Sequence, residues 1–435
     1  MTLSGRLVAL IAFGVVPVVL IGELYDRALE ALLAWIALVV LLVVIDLVAA
    51  ASPRRLALDR ALPARVRLGE TVQSSLYLTN TGRRMLRGVV RDAWQPSAGA
   101  STTRSSVQIP AGERRMVSLT LTPFRRGERR TERVTVRSFG PLGLAARQAT
   151  LRSAGRIRVL PPFNSRKHLP SRLARLRELD GRTSVMIRGQ GTEFDSLREY
   201  VRGDDVRSID WRATARHSDV MVRTWRPERD RRVVIVIDTG RTQAARIDDE
   251  PRIDTAFESA LLLAALATRA GDRVDLIMYD RRLRGRVHGA SGPELLSRMV
   301  DAMAPVEPDL IEMDWAAVPG LVRQVTTQRS LVVLATAIDA PGISRELMAI
   351  VPLLTRNHTV LVSSVTDPDV LAGVLQRGDR DEVYRAAAAE RALLDVARVT
   401  TVLKRYGADV VTGSPADLPP AVADRYLALK AAGRL

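Results

Sequence analysis

The sequence predicts a multidomain chain: a two-helix transmembrane hairpin, an all-β sandwich, and an α/β domain whose mostly parallel sheet is covered by helices. Three patterns carry this expectation. Two apolar runs open the chain, short alternating runs separated by turn signals fill residues 56–160, and apolar strand runs alternate with helical periods from residue 232 onward. The implied boundaries are 1–53 for the hairpin, 54–160 for the sandwich, 161–231 for a charged connector, and 232–435 for the α/β domain with its C-terminal helix.

Residues 7–22 (LVALIAFGVVPVVLIG) carry no charge, and residues 31–51 (ALLAWIALVVLLVVIDLVAAA) are interrupted only by Asp46. Each approaches the ~20 residues that cross a bilayer as helix. A cleaved signal peptide is the competing reading of the first run, but no clear small-residue cleavage site follows it and a longer apolar run comes next. Glu23, Asp26, Arg27 and Glu30 lie between the runs, whereas Arg6 precedes the first and Arg54, Arg55 and Arg60 follow the second. The positive-inside rule therefore places both ends and the later domains in the cytoplasm. Pro17 is expected to kink the first helix. Asp46 sits toward the cytoplasmic end of the second, where tilting or snorkelling lowers the cost of a carboxylate.

The runs ARVRLG, VQSSLYLTN, GVVRDAW, RRMVSLTLTP, RTERVTVRSF, LAARQATL and RIRVLP alternate in polarity and are separated by Thr81-Gly82, Pro110-Ala111-Gly112 and Gly127. Turns at that spacing predict a sandwich. Residues 161–231 are rich in arginine and aspartate and too weakly periodic to assign. From residue 232 the strand VVIVID, a helix over about 253–270, RVDLIMYD, a helix near 293–304, SLVVLATAI, a helix near 343–356, HTVLVSSV, a helix over about 380–406, ADVVTG and a last helix around 417–432 follow one another. Continuous apolar strands of this kind belong to parallel sheets buried on both faces.

Composition narrows the function classes. The chain has 435 residues and no cysteine, which excludes disulfide frameworks, thiolate zinc sites and cysteine nucleophiles. Its net charge of +17 comes almost entirely from arginine, with Lys167, Lys404 and Lys430 as the lysines, spread without a confined aromatic-interleaved patch. That argues against a nucleic-acid partner and toward anionic membrane lipid beside the anchor. No GxxxxGK[ST], GxGxxG after a strand, HExxH or GxSxG occurs, and His168, His217, His288 and His358 fall in four separate segments. The most suggestive chemical position is Asp238-Thr239-Gly240-Arg241-Thr242, at the carboxyl end of the first α/β strand, where open parallel sheets bind ligands. An aspartate with neighbouring hydroxyls there could hold a divalent cation such as Mg through oxygen ligands, or could simply cap the turn.

In the connector, Glu193-Phe194, Leu197-Arg198-Glu199-Tyr200, Gly203-Asp204-Asp205, Arg207 and Ile209-Asp210-Trp211-Arg212, within Gly191 to Arg216, form a long signature. Upstream stand Arg125-Arg126-Gly127 and Pro141-Leu142-Gly143-Leu144. Together these resemble the family known as domain of unknown function 58. The resemblance implies a von Willebrand factor type A-like C-terminal domain, mainly a protein-binding platform, and association with MoxR-type AAA+ ATPases. Domains of that type often carry a metal-ion-dependent adhesion site. Asp238 matches its first aspartate and Thr242 its second hydroxyl, but Gly240 replaces the first serine and Ala337 stands where a later aspartate is expected, leaving Asp339 as a substitute.

Two readings of the connector remain open. Its charged groups either form bidentate pairs that lock the sandwich to the α/β domain, or Arg198, Asp204, Asp205, Asp210, Trp211 and Arg212 present a partner surface with the tryptophan as anchor. The expected function is a membrane-tethered adaptor without chemistry or cofactor of its own, working with a MoxR-type ATPase. The alternatives are an envelope-assembly scaffold independent of an ATPase and a metal-dependent hydrolase at Asp238.

Overall fold

The computed structural model describes residues 2–186, 193–201, 204–216, 219–226, 231–248, 250–339 and 341–435. The chain divides into two compact units, Met1–Leu160 and Pro161–Leu435.

The first unit opens with β1 (Thr2–Leu3) and the helices α1 (Gly5–Phe13), α2 (Val15–Tyr25) and α3 (Ala28–Ala49). Gly5–Tyr25 and Ala28–Arg55 are each long and apolar enough to cross a membrane, and most of their large apolar side chains are exposed. The interruption between α1 and α2 falls at Gly14 rather than at Pro17 itself. Proline removes the hydrogen bond to the carbonyl four residues earlier and its ring crowds that carbonyl, so Pro17 acts on Phe13. Gly14 serves a second purpose there: a Cβ at this position would overlap the indole of Trp35 on α3. A small residue thus lets the two helices approach closely.

A sandwich follows in the same unit. One sheet runs in the order β2 (Leu56–Ala61), β4 (Val72–Asn80), β7 (Arg114–Leu121). The other runs β1, β9 (Ala145–Leu160), β8 (Gly127–Phe139), β5 (Leu86–Asp92), β6 (Arg104–Ile109), with β3 (Arg65–Arg67) paired to β9. Leu76, Leu78, Leu86, Val90, Ile109, Val134 and Val136 form the core between them. The runs LAARQATL and RIRVLP, separate in the sequence reading, merge into the single strand β9. Its ladder with β8 accommodates a register shift between Thr131 and Arg133. Inside the sandwich Arg60 binds Asp92 through two parallel hydrogen bonds of 2.7 and 2.9 Å, and Asp92 also accepts from the Trp94 indole.

The second unit begins with α4 (Leu169–Met186) and the antiparallel pair β10 (Glu193–Glu199) and β11 (Met221–Arg226), with the short helix α5 (Trp211–Thr214) between them. A six-stranded sheet follows. Its strands are β12 (Arg232–Asp238), β15 (Arg273–Tyr279), β16 (Leu283–Val287), β17 (Leu331–Ala335), β18 (Thr359–Val365) and β19 (Asp409–Gly413), while β13 (Arg246–Ile247) and β14 (Glu250–Pro251) form a small ribbon before the first helix. The spatial order is β16-β15-β12-β17-β18-β19, parallel except for the antiparallel edge strand β16.

Helices cover both faces. On one side α6 (Arg252–Arg269) is buried from Arg252 through Ala267 and packs against α4, α7 (Gly292–Met303) and α12 (Leu418–Ala431). On the other, α8 (Val318–Val325), α9 (Pro341–Thr355) and α11 (Arg380–Arg405) supply Val318, Val322, Leu347, Val351 and Leu403 to a core with Val234, Val236, Val332, Leu334 and Val360. The short α10 (Pro368–Gly373) packs on α11. Strand β16 escapes the sequence reading because RRLRGRV carries arginines where a central strand would be apolar, which suits an edge that must not recruit another strand.

Candidate functional site

Strand β12 delivers Asp238 to the carboxyl edge of the sheet, 1% exposed. Its Oδ1 accepts from the Gly240 amide at 2.7 Å, and its Oδ2 accepts from Thr336 Oγ1 at 2.8 Å, just beyond β17, and from Thr242 Oγ1 at 3.5 Å. Burial pushes the Asp238 carboxyl up to about 6, against the pull of those three donors, with the neighbouring charge of Asp280 adding to the rise. Asp280 is itself fully buried, accepting from Thr239 Oγ1 at 2.9 Å and from the amides of Arg281 and Arg282. Gly240 has no room for a side chain, since a Cβ would lie 2.8 Å from the Ile311 carbonyl and 3.2 Å from the Met313 amide.

The structure thus brings Asp238 and Thr242 together as the sequence suggests, but it employs Asp339 elsewhere. Both Asp339 oxygens bind the Arg252 guanidinium, at 2.8 and 2.5 Å, where α6 begins. The substitute ligand is therefore already neutralised by a bidentate partner. With Gly240 and Ala337 contributing no side-chain oxygen, Asp339 held by Arg252 and Asp238 already accepting three hydrogen bonds, this set does not fit a hard divalent cation, which needs six or so oxygens free to turn toward it.

The partner candidates lie on and between β10 and β11. Arg198 forms a two-point pair with Asp204 at 2.8 and 2.6 Å, and this bond raises the guanidinium pKa further. Asp205 accepts from the Arg207 amide at 2.9 Å and starts a turn of 3-10 helix. Asp210 caps α5, with Oδ1 accepting from the Arg212 and Ala213 amides, while its Oδ2 takes Arg223 Nε at 2.8 Å. The Ala213 amide, followed by the Arg223 bond, holds its carboxyl below the usual range. These pairs join residues within the β10–β11 segment itself, so they account for the local turn. Large apolar side chains stay exposed on the segment: Trp211 is 70% exposed, and Val206 and Val201 are both more than half exposed. Gly191 and Gly203 of the signature, and His217, lie outside the described residues.

Residues 196–372 match the family described as "Protein of unknown function DUF58". The match covers about two fifths of the chain. The DUF58 match starts inside β10 and runs through β18 into α10, so it takes in Trp211, Asp238 and Asp339 alike. Uncharacterized proteins of Mycobacterium tuberculosis and Mycobacterium bovis are 29% identical to the chain, over 49% of its length and 72% of theirs. Among solved structures, a β-glucosidase from Listeria innocua is 18% identical over 24% of this chain and 16% of its own, with a TM-score of 0.17. The CARDB domain of a Pyrococcus furiosus protein is 14% identical over 24% of this chain and 94% of its own, with a TM-score of 0.18.

Outside the matched segment, one long-range arrangement was missed by sequence reasoning. Asp46 does not snorkel: it is fully buried, and its carboxylate accepts four backbone amides, those of Leu142 through Ala145 after Pro141. Leu142 and Gly143 donate to Oδ1 at 2.8 and 3.3 Å, and Leu144 and Ala145 donate to Oδ2 at 2.7 and 3.0 Å. Gly140 makes room for the approach, because a Cβ there would collide with the Asp46 carbonyl and carboxylate. The Ser4 hydroxyl donates to the Gly143 carbonyl at 2.6 Å, and its backbone N–H donates to the Leu144 carbonyl at 3.0 Å. The helix hairpin and the sandwich are thereby pinned together at one turn. The available signal was an acid in an apolar run together with a glycine-rich turn far along the chain.

Proposed function

We propose that the chain is a membrane-tethered protein-binding adaptor whose two apolar helices span the bilayer with both ends cytoplasmic. In this reading the α/β domain is von Willebrand A-like, and it recruits or regulates a MoxR-type AAA+ ATPase without chemistry or cofactor of its own. The observation that carries it is the β10–β11 segment, in which Arg198, Asp204, Asp210 and Arg223 satisfy one another while Trp211 is left 70% exposed. Protruding tryptophans on rigid local frames are the residues that dominate interface energies. Support for the domain likeness comes from the strand order with its single antiparallel edge. The adaptor reading over a hydrolase is favoured by the three hydrogen bonds already made to Asp238 and by the Asp339–Arg252 pair.

The test is the turnover of a purified MoxR-type ATPase titrated with the full chain in nanodiscs and with its Trp211→Ala variant. Wild type should change turnover at least twofold, and the variant should not, while its melting stays within about 0.5 kcal/mol because an exposed side chain contributes little to stability. Unchanged turnover with wild type would sink the ATPase reading.

A further inference from the structure

The Asp46 nest fixes a loop of the sandwich to the end of α3, and with it the depth of everything that surrounds that end. Six arginines do. Arg84 donates to the Val48 carbonyl and Arg147 Nη1 to the Ala50 carbonyl at 3.3 Å, both groups left without intrahelical donors at the helix C-terminus. Arg55 is held by its carbonyl, which accepts the Thr81 amide at 2.9 Å and the Thr81 hydroxyl at 2.6 Å, so Arg54 and Arg55 stand beside the 81–84 turn that carries Arg83. Arg6, in the first turn of α1, lies against Gly143 of the nest.

All six side chains are exposed, and among the described residues none of them enters an ion pair. Some arginines elsewhere in the same unit are matched, as Arg60 is to Asp92, Arg114 to Asp59 and Arg130 to Glu128. The Asp46 carboxylate, near the end of α3, is consumed by backbone amides and buried. Between the arginines Met85 and Leu142 are 44% and 43% exposed.

We infer that this belt is a binding surface for the phosphate headgroups of anionic phospholipids, with Met85 and Leu142 reaching into the acyl boundary. It rests on the reading that the two helices span a bilayer. Unmatched guanidiniums grouped round the ends of both helices then meet headgroups at a depth set by the Asp46 nest. Guanidinium forks bind phosphate oxygens in pairs, and basic residues beside a span are drawn to an anionic leaflet.

The test uses the full chain reconstituted in vesicles of phosphatidylcholine, with trace spin-labelled phosphatidylglycerol or spin-labelled phosphatidylcholine, reading the fraction of label motionally restricted by the protein. The phosphatidylglycerol preference should exceed twofold, fall on adding salt, and approach one in the triple variant Arg54→Gln, Arg55→Gln, Arg83→Gln. These three side chains make none of the bonds described above, so the fold is retained, and unchanged melting checks it. Equal restriction of the two lipids by wild type, or an undiminished preference in the variant, overturns the inference. So does full competition by millimolar inorganic phosphate at constant ionic strength, which would assign the belt to a free anion. Absence of restricted lipid of either kind would instead refute the spanning reading itself, and the inference with it.

Discussion

Replacing Asp46 by asparagine keeps the size of the side chain and removes half of what it does. Each carboxylate oxygen serves two amides, Leu142 and Gly143 on one side and Leu144 and Ala145 on the other. Asparagine has one acceptor atom, so in either orientation its NH2 group faces two N–H donors, the buried pair of Leu144 and Ala145 or the part-buried pair of Leu142 and Gly143. Two hydrogen bonds to a charged acceptor are lost, at ~1.5–3 kcal/mol each, which sums to about 3–6 kcal/mol for the pinning of the turn. At ~1.4 kcal/mol per tenfold this is a factor of roughly 10² to 10⁴ in the opening equilibrium. Amide hydrogen exchange of the full chain in nanodiscs reads it directly. Protection at Leu142, Gly143, Leu144 and Ala145 should drop by at least about a hundredfold, while amides in the β4–β7 ladder should hardly change. Wild-type protection of those four amides in Asp46→Asn would refute the clamp.

Two further outcomes follow from buried acids of the α/β unit. Asp238 has its carboxyl raised from 3.8 to about 6, so the folded state binds the proton more tightly than the unfolded one. Its contribution to stability is full below pH ~4, declines as pH rises, and is gone above pH ~6, a loss of about 3 kcal/mol. Urea unfolding should therefore show the stability of Asp238→Asn rising relative to wild type by up to that amount between pH 4 and 7; parallel curves would contradict it. Asp272, 6% exposed, is raised by burial while Lys430 Nζ at 2.8 Å and the Tyr426 hydroxyl pull it down. Lys430→Met strands that carboxylate and should cost roughly 3 kcal/mol at neutral pH, with the loss shrinking in acid as Asp272 protonates.

The parts of the fold that were legible share a property: their signal is local. Runs such as VVIVID and LVVLA are buried on both faces, and the two N-terminal runs are apolar over their whole length, so period and composition suffice. The parts that were not legible depend on partners far away in sequence. Asp46 meets residues 96 to 99 positions later, and Asp339 meets Arg252 across 87. A single sequence supplies no means of joining them, so one acid reads as a tolerated defect and the other as a free ligand. The β10–β11 pair escaped notice for another reason. Its strands carry charges that are satisfied within the segment, which erases the alternation a half-buried ribbon would show.

The near-complete enclosure of α6 bears on how the protein is made. Its sixteen buried residues Arg252–Ala267 need α12 on one side, where Tyr426 and Lys430 fasten to Asp272. During synthesis, some 150 residues must leave the ribosome after α6 before that cover exists, which at ~5–20 residues per second is a delay of order ten seconds. Throughout it this extensively buried helix of the α/β unit lacks its lid while the N-terminal helices have already emerged. Loss of the segment after Leu418 would leave this condition permanent, and such a chain should be a substrate for chaperones and proteases rather than a shortened but serviceable protein.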